Sequence, residues 1–457
     1  MSLLSRYRSL VEASSDLYAQ DRSARHSLEL SLAMPASVGR RTITSALSVL
    51  GRTQLDWSGT FKFFSRCLWN HVGRFRAVLV EFCRMFPSGP IPIAADDTKA
   101  HKCGKKIASV SWHRDPLSPP FHTNLIRAQR FVHFSLIFPF HRQGKIPARS
   151  LPIRFEDAPA LKKPGARATK KQRKEYKEKS KQINLPAQAR AIAVETRKHF
   201  DELGQAHRFL LLAVDGSYCN RRFFHEPLDR IHLLARARKD ARLCRPAAPG
   251  SRLRYDPNVF TPEAVRKDDA IPWHKTHIFF GGKRHKVRFK VLDRILWRRG
   301  AAQRRLRLIV VAPVPYRLSR NSKTHYREPA YLLTDDLTSS PTLLLQTYFD
   351  RWQIEVNHRE IKTYFGAGEA QVRSPLSVPR VPAFIVSCYS LLHLAAILEL
   401  GPTRTDYYTL LPKWRRPSAR PSIADLLRQL RIELNETRIS SPDIPIPATN
   451  LVLSSAA

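Results

Sequence analysis

The chain has 457 residues, enough for two or three domains with a sizeable core, and its 78 Lys and Arg against 38 Asp and Glu leave a formal net charge of +40. Such an excess repels itself unless a polyanion binds it, which points to nucleic acid; no lipidation motif or strongly amphipathic basic terminal helix supports a membrane surface instead. Six scattered cysteines without a Cys-x-x-Cys suggest neither a zinc ribbon nor a disulfide framework, and the N-terminus lacks the apolar core of a signal peptide, so a reducing cytoplasm is expected.

Residues 1–88 read as helical. Thr42 is placed to cap a helix, and 61–86 carries apolar residues at helical spacing with Arg66, Arg74, Arg76 and Arg84 interleaved. The functional reading is a helical DNA-binding domain that lays these arginines on phosphates; the bland one is a structural cap. Pro87-Ser88-Gly89-Pro90 marks a boundary.

Ile91 to Ala95 is an apolar run of the kind a buried parallel strand gives, ending in Asp96-Asp97-Thr98. A strand cannot point Asp96 and Asp97 the same way. Two more strands are expected at 106–112 and 130–139. From Lys162 to Lys181 the chain is a basic run that includes Lys170, Lys171, Arg173 and Lys174 and has no apolar face. It reads as a mobile insertion, about 160–184, or a frayed helix, with phosphate contact as its use.

A helix is expected over 187–203, followed by the clearest buried strand, Phe209 to Val214, which ends at Asp215-Gly216-Ser217-Tyr218. Ligands of α/β sheets bind at such strand ends. Between Arg221 and Asp336 the pattern is β-rich, with strands near 277–280, 286–292, 306–311 and 330–334. A helix is predicted from Thr342 to Phe365, free of interior Gly and Pro and stopped by Gly366 and Gly368. The loop 371–382 carries Arg373 and Arg380; 383–400 reads as a buried core helix, since its Ser, His and Glu are costly in lipid. After residue 400 one amphipathic segment, 423–434, precedes a Pro- and Ser-rich end expected to be disordered.

On the 342–365 helix, Tyr348, Arg351, Glu355 and Lys362 fall within one polar arc about 60° wide, beside an apolar stripe of Leu345, Phe349, Trp352 and Val356. Each residue alone is ordinary for a solvated face with i,i+4 ion pairs. The combination Tyr, two residues, Arg, three residues, Glu, six residues, Lys resembles the signature around the third acidic residue of the DDE transposases of the IS4 superfamily. The run 39–69 resembles the N-terminal region of IS701-like members more loosely.

The resemblance implies an α/β fold: an RNase H-like core, a mixed sheet flanked by helices, interrupted by a β-rich insertion. The corresponding domains are 1–88, the N-terminal helical domain; 89–221, the first part of the core; 222–336, the insertion; 337–400, the second part of the core; and 401–457, a tail. It implies that Asp96, with Asp97 as the fallback, Asp215 and Glu355 hold two Mg²⁺ ions, or Mn²⁺ as a substitute, without histidine ligands. It implies phosphate contacts from Tyr348, Arg351 and Lys362, and a Trp of the insertion, Trp297 or Trp273, stacking on a flipped base. Arg373 and the basic run would add contacts to DNA. The activity implied is cleavage at insertion-sequence ends and transfer of the 3′-OH ends to target DNA, by a homodimer in the bacterial cytoplasm, close to the nucleoid. The alternatives are a catalytically inactive transposase-derived DNA-binding protein and an RNase H-like nuclease without strand transfer.

Overall fold

The computed structural model describes residues 2–440 except 105, 116, 117, 120, 145, 320 and 417; the end expected to be disordered, 441–457, lies outside the described residues. Five helices open the chain: α1 Leu3–Glu12, α2 Asp21–Ala36, α3 Ile43–Val49, α4 Ser58–Ser65 and α5 Arg76–Met85. The helically spaced stretch 61–86 is divided between α4 and α5. Thr42 does cap α3, its hydroxyl accepting from the Ser45 N–H.

The strands are β1 Ile91–His101, β2 Val110–Arg114, β3 Leu125–Phe138, β4 Arg149–Asp157, β5 Leu210–Val214, β6 Ile231–Arg236, β7 Leu243–Pro246, β8 Tyr255–Phe260, β9 His274–Phe280, β10 Lys283–Ile295, β11 Leu306–Val311, β12 Pro315–Tyr316, β13 His325–Tyr326 and β14 Ala330–Thr334. Between them lie α6 Lys170–Ile183, α7 Leu185–Glu202 and three short helices, α8 Arg221–Phe224, α9 Pro262–Lys267 and α10 Arg298–Ala301. The chain closes with α11 Pro341–Asp350, α12 Gln353–Thr363, α13 Ser377–Leu400 and α14 Ile423–Ser440.

Among the described residues ten strands form one mixed sheet in the order β2-β3-β1-β5-β6-β14-β11-β10-β9, with β4 also paired to β3. β3 runs antiparallel to β1, whereas β5 and β6 are parallel to it and to each other. Three sequence-based boundaries need correction here. β1 does not end at the acidic pair but continues to His101, because β3 goes on pairing with it after β5 has stopped. β6, assigned from sequence to the insertion, is the parallel neighbour of β5. β14, β11, β10 and β9 then extend the same sheet antiparallel, so most strands of 222–336 share the sheet of the core.

The two faces of the sheet bury different helices, as the two-residue side-chain period of a strand requires. Ile93, Ala95, Leu210, Leu212 and Val214 pack with α5 and α7 residues such as Phe82 and Phe200. On the other face Leu211 and Ala213 meet Leu344 and Leu345 of α11, and Ala94 meets Ile354 of α12.

Residues 1–88 do not have a core of their own. Leu3, Tyr7, Phe63, Phe64 and Phe75 share a cluster with α13 and α14 residues such as Phe384, Leu391 and Leu430. Arg74, expected on phosphates, is 1 % exposed; it donates to Ser387 of α13 and Ser31 of α2 and lies 4.1 Å from the Phe384 ring. α13 is long and apolar enough to cross a membrane, yet 94 % of its most apolar window is buried in the protein, as expected of a core helix.

The basic run forms a helix where a mobile segment was the leading expectation. Thr169 and Gln172 make a reciprocal capping box at the start of α6, which buries none of its residues.

Candidate functional site

The polar arc is carried by two helices rather than one. At 351–352 the bonds Trp352 N–H to Phe349 O, Ile354 N–H to Arg351 O and Glu355 N–H to Trp352 O span three residues instead of four. The backbone at Arg351 and Trp352 has the φ/ψ of a 3₁₀ turn. Anchors on both sides hold this break. Before it, the buried Asp350 pairs with His141 at 2.9 Å; after it, Ile354 packs on Ala94 and Ile137, and Asn357 donates to Ser135 and Ser150. The break turns Trp352 out of the apolar stripe expected for it, leaving it 59 % exposed.

α12 presents Glu355 to the sheet. Asp96 lies on the α12 face of β1, sharing it with Ala94, whereas Asp97 lies on the opposite face with Ala95. Residues 95 and 214 are the last parallel partners of β1 and β5, so Asp215 follows β5 where Asp96 follows Ala95 on the adjacent strand. Ligand atoms of Asp96, Glu355 and His358 all lie within 4.8 Å of one another. Asp97 is not in this group, and its strand face separates it from Glu355. Asp215 is outside the group as well, but near enough to act on Asp96; its carboxylate accepts from the backbone and hydroxyl of Ser217, at 3.0 and 2.7 Å.

Burial first, then the Glu355 and Asp215 charges, push the Asp96 carboxyl up to about 8. The Asp97 N–H, at 2.8 Å, and the cation of Arg351 oppose that rise. Arg351 stands between the carboxylates, Nη1 4.0 Å from Asp96 and 3.8 Å from Glu355, too far for a hydrogen bond to either. Its Nε and Nη1 are buried without partners. The cluster therefore holds carboxylates that repel one another and a guanidinium whose donors are unspent. Both are relieved by ligands, a cation for the first and an anion for the second.

His358 was not anticipated. It is buried one turn after Glu355, its Nδ1 3.9 Å from the Glu355 carboxylate, and burial together with Lys362 and Arg351 lowers its pKa to about 3, so the ring is neutral. The signal available was the i,i+3 spacing of Glu355 and His358 on one helix face. Lys362 is exposed, two turns beyond Glu355 and within reach of its charge. Tyr348 is half-buried, its ring 5.9 Å from the Arg351 guanidinium.

Arg351 and Tyr348 also line a groove of about 430 Å³ with Arg236, Arg327, Phe280, Phe349 and Trp352. Arg236 and Arg327 were missed, their signal being no more than two among many basic residues. The other expected contacts lie elsewhere. Trp297 packs on Phe224, with its ring against Gly300, and the Lys290 ammonium lies over the Trp273 ring; both tryptophans are half-buried against the core. Arg373 is exposed on a separate cleft with Arg40 and Thr42. Arg380 is buried and donates to the Cys67 carbonyl, which makes it an anchor for the N-terminal helices. Lys170, Lys171, Arg173 and Lys174 are exposed on α6, outside the carboxylate cluster.

No known protein-family profile matches this sequence, and no curated protein is similar to it.

Proposed function

We propose that this protein is a DDE-type DNA transposase of the IS4 kind, which cleaves DNA at element ends and joins the freed 3′-OH to target DNA through Asp96, Asp215 and Glu355. The observation that carries the reading is the meeting of Asp96 and Glu355, from a strand and a helix far apart in the chain, beside Asp215 and around an unpartnered arginine. A first strand with antiparallel neighbours after it, a parallel strand before the second aspartate and a helix across the sheet carrying the glutamate is the arrangement an RNase H-like core requires. In that reading the strands β9 to β14 are the module inserted before the signature helix.

The donor set fits a hard divalent cation, since carboxylate oxygens suit Mg²⁺ and Mn²⁺ and the mutual repulsion around Asp96 is what such an ion removes. When bound, the ions supply charge stabilisation to the attacking and leaving oxygens of an in-line displacement. The chain's own residues do the rest. Arg351, at the break between α11 and α12 with donors free, and Lys362, exposed on α12, hold the phosphate against the carboxylates. Tyr348 and Trp352 offer ring faces along a groove lined by Arg236 and Arg327, a surface suited to unpaired bases and their backbone. Exposed cations elsewhere, α6 included, supply salt-sensitive attraction to duplex DNA.

The test is incubation of duplexes carrying the DNA that flanks the gene, with Mg²⁺ or EDTA, using wild type and Asp215→Ala. Metal-dependent release of a 3′-OH at a defined position, lost in the variant and followed by joining to a second DNA, is the expected result. Cutting without joining indicates a nuclease, and tight binding without cutting under any metal indicates an inactive DNA-binding relative.

A further inference from the structure

We infer that His358 is a nitrogen ligand of the cation held by Asp96 and Glu355, which makes this a mixed oxygen and nitrogen centre that binds a first-row transition ion such as Mn²⁺ in preference to Mg²⁺. The inference rests on the reading of the two carboxylates as metal ligands and adds to it the third donor and the ion it selects.

The geometry comes first. Ligand atoms about 2.1 Å from an octahedral ion lie ~3 Å apart when adjacent and ~4 Å apart when opposite. The His358 Nδ1 to Glu355 Oε2 distance of 3.9 Å falls in that range, and the full set within 4.8 Å closes onto an ion by less than about an ångström. The residue is 9 % exposed. Its Nδ1 stands 3.9 Å from Glu355, too far for a hydrogen bond, and its Nε2 is buried with no partner. A ring nitrogen left that way is unfavourable unless a partner satisfies it.

A metal-bound histidine also needs a partner for its other nitrogen. His133 supplies one. Its ring lies 5.0 Å from that of His358, on the β3 residue paired with Asp96, and its Nδ1 is likewise buried and unpartnered. His133 Nε2 is already held at 2.9 Å by the Ser135 hydroxyl. With the His358 Nδ1 on the ion, His358 Nε2–H donates to His133 Nδ1, and both orphaned ring nitrogens are satisfied by one hydrogen bond. Imidazole favours first-row transition ions, while Mg²⁺ prefers oxygen and keeps its waters, so a nitrogen in the set tilts selectivity toward Mn²⁺.

The experiment is pulsed electron paramagnetic resonance of Mn²⁺ bound to the full-length wild-type protein, where a directly bound imidazole imprints ¹⁴N modulation on the echo. Nitrogen modulation that vanishes in Asp96→Asn together with Mn²⁺ binding is expected. Bound Mn²⁺ without nitrogen modulation overturns the histidine ligand and leaves the carboxylate reading intact, whereas no Mn²⁺ binding overturns both. Calorimetric titration of His358→Gln provides the second readout: Mn²⁺ affinity should fall by about tenfold or more and Mg²⁺ affinity by less, narrowing the preference. An equal fall for the two ions would make His358 a packing residue only.

Discussion

At the scale of single residues, the carboxylates behave as a unit whose charge is out of balance. The Asp96 pKa is raised in the folded chain, to about 8 from its usual 3.8. The folded state thus holds a proton that the unfolded state releases, so the stability Asp96 contributes is fully present below about pH 4 and is lost as the pH rises through about 8. Metal-free protein should therefore melt at a lower temperature at pH 8 than at pH 5, and Asp96→Asn should flatten that slope. Scanning calorimetry of both across this window checks it, and equal slopes would show Asp96 to be no source of the pH dependence. Glu355→Gln removes a ligand and little phosphate contact, so cleavage should drop by about 10³-fold, the equivalent of ~4 kcal/mol in the barrier, with DNA affinity held within a few-fold. Parallel loss of binding and cleavage in gel-shift and cleavage assays would contradict that role. Asp215 was legible because an unbroken apolar run delivers it. His358 was not, since a lone histidine on a helix states nothing about burial until β3 places His133 beside it.

Among the elements, α6 and the pair α11–α12 illustrate opposite uses of sequence. α6 is capped but buries nothing; Arg173 donates to the Ala166 carbonyl ahead of the helix, and the exposed lysines are left to act as charge. Converting Lys170, Lys171, Arg173 and Lys174 to Gln should leave the melting temperature almost unchanged. The slope of log K against log salt should become shallower by about 0.9 for every phosphate that these side chains neutralise. An unaltered slope in fluorescence anisotropy titrations would assign α6 no part in holding DNA. The break between α11 and α12 was illegible because no Gly or Pro marks it; it comes from tertiary anchors, Asp350 on His141 and Asn357 on two serines. β4 was hidden for a related reason. Its sequence is interrupted by Arg149 and Arg154, which are buried all the same, Arg154 against Glu156 and Glu195 and Arg149 on the Pro421 carbonyl.

For the whole molecule, the question is whether 1–88 is a detachable binding module, as its helical pattern and the Pro-Ser-Gly-Pro break suggested. A chain pattern gives helices and their apolar faces, but not which partner covers each face. Here the partner is distant: α13, α14 and the end of α12 complete the cluster begun by α1 to α4. The Arg74 guanidinium, buried among hydroxyls of three separate segments, donates to Tyr18, Ser31 and Ser387. Removing 1–88 would expose the flank of α13 that now carries Phe384 and Leu391, together with Ile361 and Phe365 of the signature helix region. Exposure of so much apolar surface costs more than the ~5–15 kcal/mol that holds a typical domain together. A chain lacking 1–88 should accordingly fail to unfold cooperatively and should bind a hydrophobic dye, and Arg74→Ala in the full chain should lower stability by ~3 kcal/mol or more, through hydroxyls and a ring left unpaired. A truncated chain with a sharp melting transition would instead establish the N-terminal helices as an independent unit, and the glutamate of the site would then depend on the sheet and α13 alone for its position.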